Sequence, residues 1–286
     1  MCLVAAGGEA FGDQTLVFCS LRDVWTRYAA LGDSFTEGLM DDLRPDGRHR
    51  GWADRLAQSL ADDAVRQGLG GIDYANLAVR GRLLGQVIDE QVPAVLDLGP
   101  DLVSLAAGVN DCLRRTWDLP SMASSLESAV TRLRAAGADV LLFSYGDPAR
   151  RSKVLGRVRE RILQLNAETE AIARRHGCMV VSYWGARVMD DPRLWDQDRL
   201  HLSSRGHDIA AQSAREALGL GSDSWRTLLP YEPRPSLSRR LGSDVSWVLG
   251  HALPWVGRRL RGESSGDSVR AKDAQWRFVP GEVLSA

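Results

Sequence analysis

Four short polar stretches of this chain carry the residue types needed for acyl transfer. In order they are Gly32-Asp33-Ser34, Asn76 to Gly81, Gly108-Val109-Asn110-Asp111 and Asp198-Arg199-Leu200-His201. A serine hydroxyl becomes a nucleophile when a base within hydrogen-bond reach takes its proton. Ser34 is the candidate nucleophile and His201 the candidate base. Asp198, three residues before His201, can orient the imidazole and stabilise its charged form. The backbone N–H groups of Ser34 and Gly81 and the side-chain amide of Asn110 offer donors to an oxyanion. Such donors are usually the largest single contribution to this kind of catalysis.

Taken singly, each residue has a plainer reading. Asp33 or Ser34 can cap the helix that follows. Asn110 alone reads as a cap, Gly81 alone as a turn glycine, and His201 as a surface histidine. His207, six residues further on, is the rival base. His201 is preferred because it stands on a loop before a helix and has Asp198 beside it.

The elements that must position these residues follow from the hydrophobic pattern. Apolar runs at 27–32, 72–77, 101–107, 138–145 and 178–183 read as strands, several of them continuous enough to be buried on both faces. Between them, helical spacing marks 52–64, 81–92, 121–136 and 153–176, and a last helix spans 203–218 with Ser203 or Ser204 as its N-cap. Strands alternating with crossover-length helices define an α/β fold, a parallel sheet with helices on both faces. Ligands of such sheets bind at the C-terminal strand edge, where the four polar stretches fall.

The four blocks, in this order, resemble those of the SGNH (GDSL-like) hydrolase family of lipases and esterases, named for Ser, Gly, Asn and His. The resemblance covers roughly residues 26–218. It implies a flavodoxin-like three-layer α/β/α sandwich with five parallel strands in the order 2-1-3-4-5. It also implies Ser34 as nucleophile, Gly81 and Asn110 as further oxyanion donors, and His201 with Asp198 as the base pair, without metal or cofactor. The second block departs from the family pattern in placing Ala78 and Arg80 near the glycine, and Arg80 is expected to narrow or charge the pocket. The first block lacks the Leu of the older family name.

At 286 residues, 44% hydrophobic and 26% charged, the chain is ordinary for a globular protein. A net charge of −1 gives no electrostatic case for nucleic acid as a partner. Cys2, Cys19, Cys112 and Cys178 show no metal spacing and no dense disulfide framework, which suits a reduced, cytoplasmic interior. The N-terminus makes a poor signal peptide, and no stretch is apolar for long enough to span a bilayer.

The organisation expected is a lead-in at 1–24, a hydrolase domain at 25–218 and a Trp- and Pro-rich C-terminal extension at 219–286. A helical stripe at 244–262, flanked by Trp247 and Trp255 and closed by Arg258, Arg259 and Arg261, either packs on its own domain or makes a weak membrane or protein contact. The function expected is hydrolysis of carboxylic esters, on small-molecule, lipid or carbohydrate substrates. The alternative within that chemistry is a carbohydrate or peptidoglycan O-acetyl esterase. A flavin- or nucleotide-binding protein on the same sandwich would want a phosphate cradle after the first strand, where Asp33 and Glu37 instead place carboxylates. A catalytically silent interaction module using the tail is the remaining alternative.

Overall fold

A computed structural model describes residues 24–152, 155–232 and 266–282. The readings made for the lead-in before residue 24 and for the stripe at 244–262 lie outside the described residues. The strands are β1 (Arg27–Gly32), β2 (Gly71–Asn76), β3 (Leu102–Ala106), β4 (Asp139–Ser144), β5 (Met179–Ser182) and β6 (Asp273–Pro280). The helices are α1 (Ser34–Glu37), α2 (Gly51–Arg66), α3 (Leu84–Gln86), α4 (Val92–Leu98), α5 (Val109–Cys112), α6 (Leu119–Ala135), α7 (Arg159–His176) and α8 (Ser204–Ala217).

The sheet order is β5-β4-β3-β1-β2-β6. Its first five strands are parallel and keep the expected order. The sheet has a sixth strand that the hydrophobic pattern missed: β6, from the C-terminal extension, pairs antiparallel with β2. The extension therefore contributes to the sheet itself.

Side chains alternate across the sheet with period two, as extended backbone requires. Tyr28, Ala30, Leu141 and Phe143 face the layer of α2 and α8, whereas Ala29, Leu31, Val140 and Leu142 face α4, α6 and α7. Helix α2 meets its layer through Trp52, Leu56 and Leu60, each at most 2% exposed. A buried leucine stabilises by roughly 2 kcal/mol, so each face is held by many such increments.

Several boundaries shift from the sequence reading. Gly81 lies in a turn at φ +76°, and the helix starts only at Leu84. Between α3 and α4 the chain makes one π-helical turn, Val87–Gln91. Helix α7 begins at Arg159, after a 3-10 turn, Leu155–Val158. Ser203 is the N-cap of α8, its hydroxyl accepting from the Gly206 N–H.

Candidate active site

Strand β1 ends at Gly32, and the chain turns at once into α1. Gly32 has φ +149°, and a Cβ there would come within 2.3 Å of the Ala106 carbonyl and 2.7 Å of the Thr36 hydroxyl, so only glycine lets β1 and β3 approach this closely at the turn. Asp33 caps α1, its Oδ1 accepting from Phe35 N–H at 3.0 Å. The cap and the candidate nucleophile thus stand side by side on one turn. Ser34 opens the helix, and its N–H donates to no other group among the described residues.

Two buried side-chain amides brace the strand ends. Gln91, from the π-helical turn, accepts from Gly32 N–H at 2.8 Å and donates back to Gly32 C=O at 2.9 Å. Asn166 of α7 brackets Tyr145 after β4 in the same way, at 2.7 Å in both directions. Neither has a signal in one sequence, because a polar residue in a helix reads as solvent-facing.

The last stretch forms a tight loop closed by a bridge between Trp195 and Leu202. Asp196 N–H donates to the His201 carbonyl at 2.9 Å, and Arg199 adopts φ +57° within the turn. Asp198 Oδ1 accepts from the N–H groups of Leu200 and His201 at 2.9 and 3.0 Å. Its Oδ2 lies 2.5 Å from His201 Nδ1, and His201 Nε2 lies 3.0 Å from Ser34 Oγ.

Burial would raise the Asp198 carboxyl, but the imidazole and the two N–H groups outweigh it and hold it down at about 2. The carboxylate therefore stays ionised at neutral pH. It fixes Nδ1 as the protonated nitrogen and leaves Nε2 free to accept the Ser34 proton.

Asn110, in α5, donates from Nδ2 to Asp33 Oδ2 at 2.9 Å and to Arg82 C=O at 3.1 Å. Its amide is thus beside Ser34 but already engaged. Burial pushes the Asp33 carboxyl up to about 6, against the Phe35 N–H and the His201 charge. Asp111 accepts from Leu84 N–H at 3.0 Å, tying the turn after β3 to the start of α3.

A cavity of about 220 Å³ opens over these groups, lined by Asp33, Ser34, Asn110 and His201 together with an apolar wall that includes Leu113, Leu155 and Ile162. Gly81, among the described residues, is not one of those that line it. Arg80 does not line it either. Its backbone N–H and its Nε donate to Glu37 at 2.7 and 2.9 Å, so the arginine is neutralised there and does not charge the pocket as expected.

His207 is 1% exposed and both ring nitrogens are committed. Nδ1 accepts from Trp52 N–H at 3.2 Å and Nε2 donates to Leu39 C=O at 3.1 Å. Burial pulls its pKa down to about 4. The folded protein therefore binds this proton less readily than the unfolded chain, whose histidine titrates near 6.5. That stability is complete above pH 6.5 and is lost as pH falls toward 4, by about 3 kcal/mol. His207→Gln should flatten the urea-stability profile between pH 7 and 4 by that amount; parallel profiles would show that His207 binds its proton as readily in the fold as in the unfolded chain.

The sequence matches the model of the GDSL-like lipase/acylhydrolase family over residues 30–209. The chain belongs to that family, and it is an ester hydrolase of the SGNH type. No curated protein matches the chain. Among solved structures it is similar to LAE5, an alpha/beta hydrolase enzyme from the metagenome of Lake Arreo, at 22% identity and TM-score 0.59, covering 71% of this chain and 99% of that one. It is likewise similar to Axe2, an acetylxylan esterase from Geobacillus stearothermophilus, at 20% identity and TM-score 0.58, covering 71% and 100%. Among the described residues, no helix is long and apolar enough to cross a membrane.

Proposed function

We propose that this protein cleaves carboxylic esters through an acyl-enzyme on Ser34. The observation that carries the reading is the chain of contacts from Asp198 through His201 to Ser34, at 2.5 and 3.0 Å, with His201 and Ser34 lining the cavity. His201 Nε2 takes the Ser34 proton as Oγ bonds to the ester carbonyl carbon. The imidazolium, stabilised by Asp198, then protonates the leaving alcohol. Water, deprotonated by the same nitrogen, attacks the acyl-enzyme and releases the acid.

Whereas Gly81, the third donor the sequence offers, does not line the cavity, the oxyanion is received by the N–H of Ser34 and the amide of Asn110. Asn110 reaches it by releasing Asp33 while keeping Arg82 C=O. Removing one such donor costs about a hundredfold to a thousandfold in kcat. Asn110→Ala should show that loss with little change in KM; near-normal kcat in a folded variant would reduce Asn110 to a brace for Asp33.

The apolar wall favours an acyl group longer than acetyl. Likeness to an acetylxylan esterase supports the second reading, a carbohydrate O-acetyl ester as substrate. A fluorophosphonate should label Ser34 stoichiometrically, and a 4-nitrophenyl ester series from acetate to octanoate should peak beyond acetate. An unlabelled serine would end the serine-hydrolase reading, and a peak at acetate would favour the O-acetyl substrate.

A further inference from the structure

Among the described residues, the carboxylates around the cavity are matched, with one cation left over. Asp190 is paired with Arg150 at 2.6 Å and Asp147 with Arg159 at 2.9 Å. Asp198 serves His201, and Asp33 is held by Asn110 and the Phe35 N–H. Arg151 also lines the cavity, yet it makes no ion pair among the described residues. Its guanidinium carbon lies 3.1 Å over the Trp195 ring, and Nη2 donates to the Arg199 carbonyl at 2.6 Å. Trp195 is itself fixed, its indole N–H donating to Met189 C=O at 2.9 Å.

A guanidinium has five N–H donors in a planar fork, and stacking on an indole leaves the rim of that fork for an acceptor. Burial pulls Arg151 down to about 10, against the attraction of the Asp190 and Asp198 carboxylates, which leaves it charged at neutral pH. Asp190 and Asp198 attract this charge without touching it, so a carboxylate in direct contact with the fork would stabilise it further.

We propose that Arg151 is an anion subsite of this cavity and that the ester hydrolysed here carries a carboxylate. The inference rests on the serine-hydrolase reading above and names its substrate class. A single guanidinium near Asp190 and Asp198 suits a singly charged, planar carboxylate, which the fork grips through two parallel N–H bonds. A phosphate dianion would meet these acidic neighbours with one unpaired cation among the described residues to offset them.

The test uses the full-length protein and matched ester pairs. On the acyl side, 4-nitrophenyl hemisuccinate, hemiglutarate and hemiadipate are compared with the neutral butyrate, pentanoate and hexanoate. On the alcohol side, 3-acetoxybenzoate is compared with phenyl acetate. At least one anionic ester should be turned over at least as efficiently as its neutral partner. In Arg151→Gln the ratio of kcat/KM, anionic over neutral, should fall about tenfold to a hundredfold, chiefly through KM, as loss of a charge-assisted hydrogen bond predicts. Arg151→Lys should restore part of it.

Equal loss on both members of every pair would overturn the subsite and leave Arg151 only as a brace for the Arg199 carbonyl. Rejection of every anionic ester by the unaltered protein would overturn it as well. Fluorophosphonate labelling keeps the two levels apart. Labelled Ser34 with an unchanged ratio rejects the subsite alone, whereas no labelling rejects the hydrolase reading beneath it.

Discussion

His201→Ala should lower kcat by about ten-thousandfold to a millionfold while leaving KM nearly unchanged. The size follows from where His201 sits. In the proposed mechanism its Nε2, 3.0 Å from Ser34 Oγ, is the proton acceptor in acylation and the donor to the leaving group, and among the described residues no second histidine stands ready. His207 cannot replace it, since both its nitrogens are hydrogen-bonded to backbone and burial keeps it neutral. The two histidines should therefore separate by kind of effect. His201→Ala should unfold at the wild-type urea midpoint but lack turnover, and His207→Gln should lose stability while its folded fraction stays close to wild-type kcat. Asp198→Asn should fall between them in kcat, because it keeps the loop but presents the wrong hydrogen-bond polarity to Nδ1. Loss of turnover in His207→Gln equal to that in His201→Ala would reject the assignment of the base.

The placement of the four blocks could be read from the chain because each is a polar interruption at the end of an apolar run. An apolar run followed by Gly-Asp-Ser or Gly-x-Asn-Asp marks a strand end whatever surrounds it, and a parallel sheet brings such ends to one edge. His201 and Asp198 needed no sheet at all, since a three-residue separation within one turn sets their contact. Residues whose roles depend on distant partners could not be found in this way. Gln91 reads as one more polar residue on a helix, and it reaches Gly32, 59 positions away, from a π-helical turn. Arg80 looked free to enter the pocket because its partner Glu37 is 43 positions away in another block. Strand β6 has only one buried position, Val279, in its eight residues, too weak an alternation to signal a strand locally. It exists because β2 offers an edge, and edge pairing is a tertiary decision.

Lys272 is where that tertiary decision affects the site, and Lys272→Met should lower the unfolding free energy by about 3–5 kcal/mol, the cost of removing one partner from a buried ion pair. Lys272, just before β6, is 5% exposed, and Asp54 of α2, 6% exposed, is its ion partner. The ammonium also donates to the carbonyls of Glu37, His49 and Arg50 at 2.8, 2.9 and 2.6 Å. Three donors shared over these acceptors satisfy backbone groups that would otherwise be buried without a partner. Methionine fills similar space but donates nothing, so the carbonyls and part of the Asp54 charge go unmatched. Arg44 limits the damage, because it bridges Asp54 at 3.0 Å and Asp273 at 2.6 Å. Glu37 ends α1, the helix that Ser34 opens, and its carboxylate holds Arg80, so loosening here reaches both Ser34 and the Gly81 turn. Urea titration should show the lowered midpoint, and kcat on 4-nitrophenyl esters should fall in the same variant even well below that midpoint. A stability change within about 0.5 kcal/mol, the range of an ordinary surface substitution, would mean that the C-terminal strand is an appendage to a core complete without it.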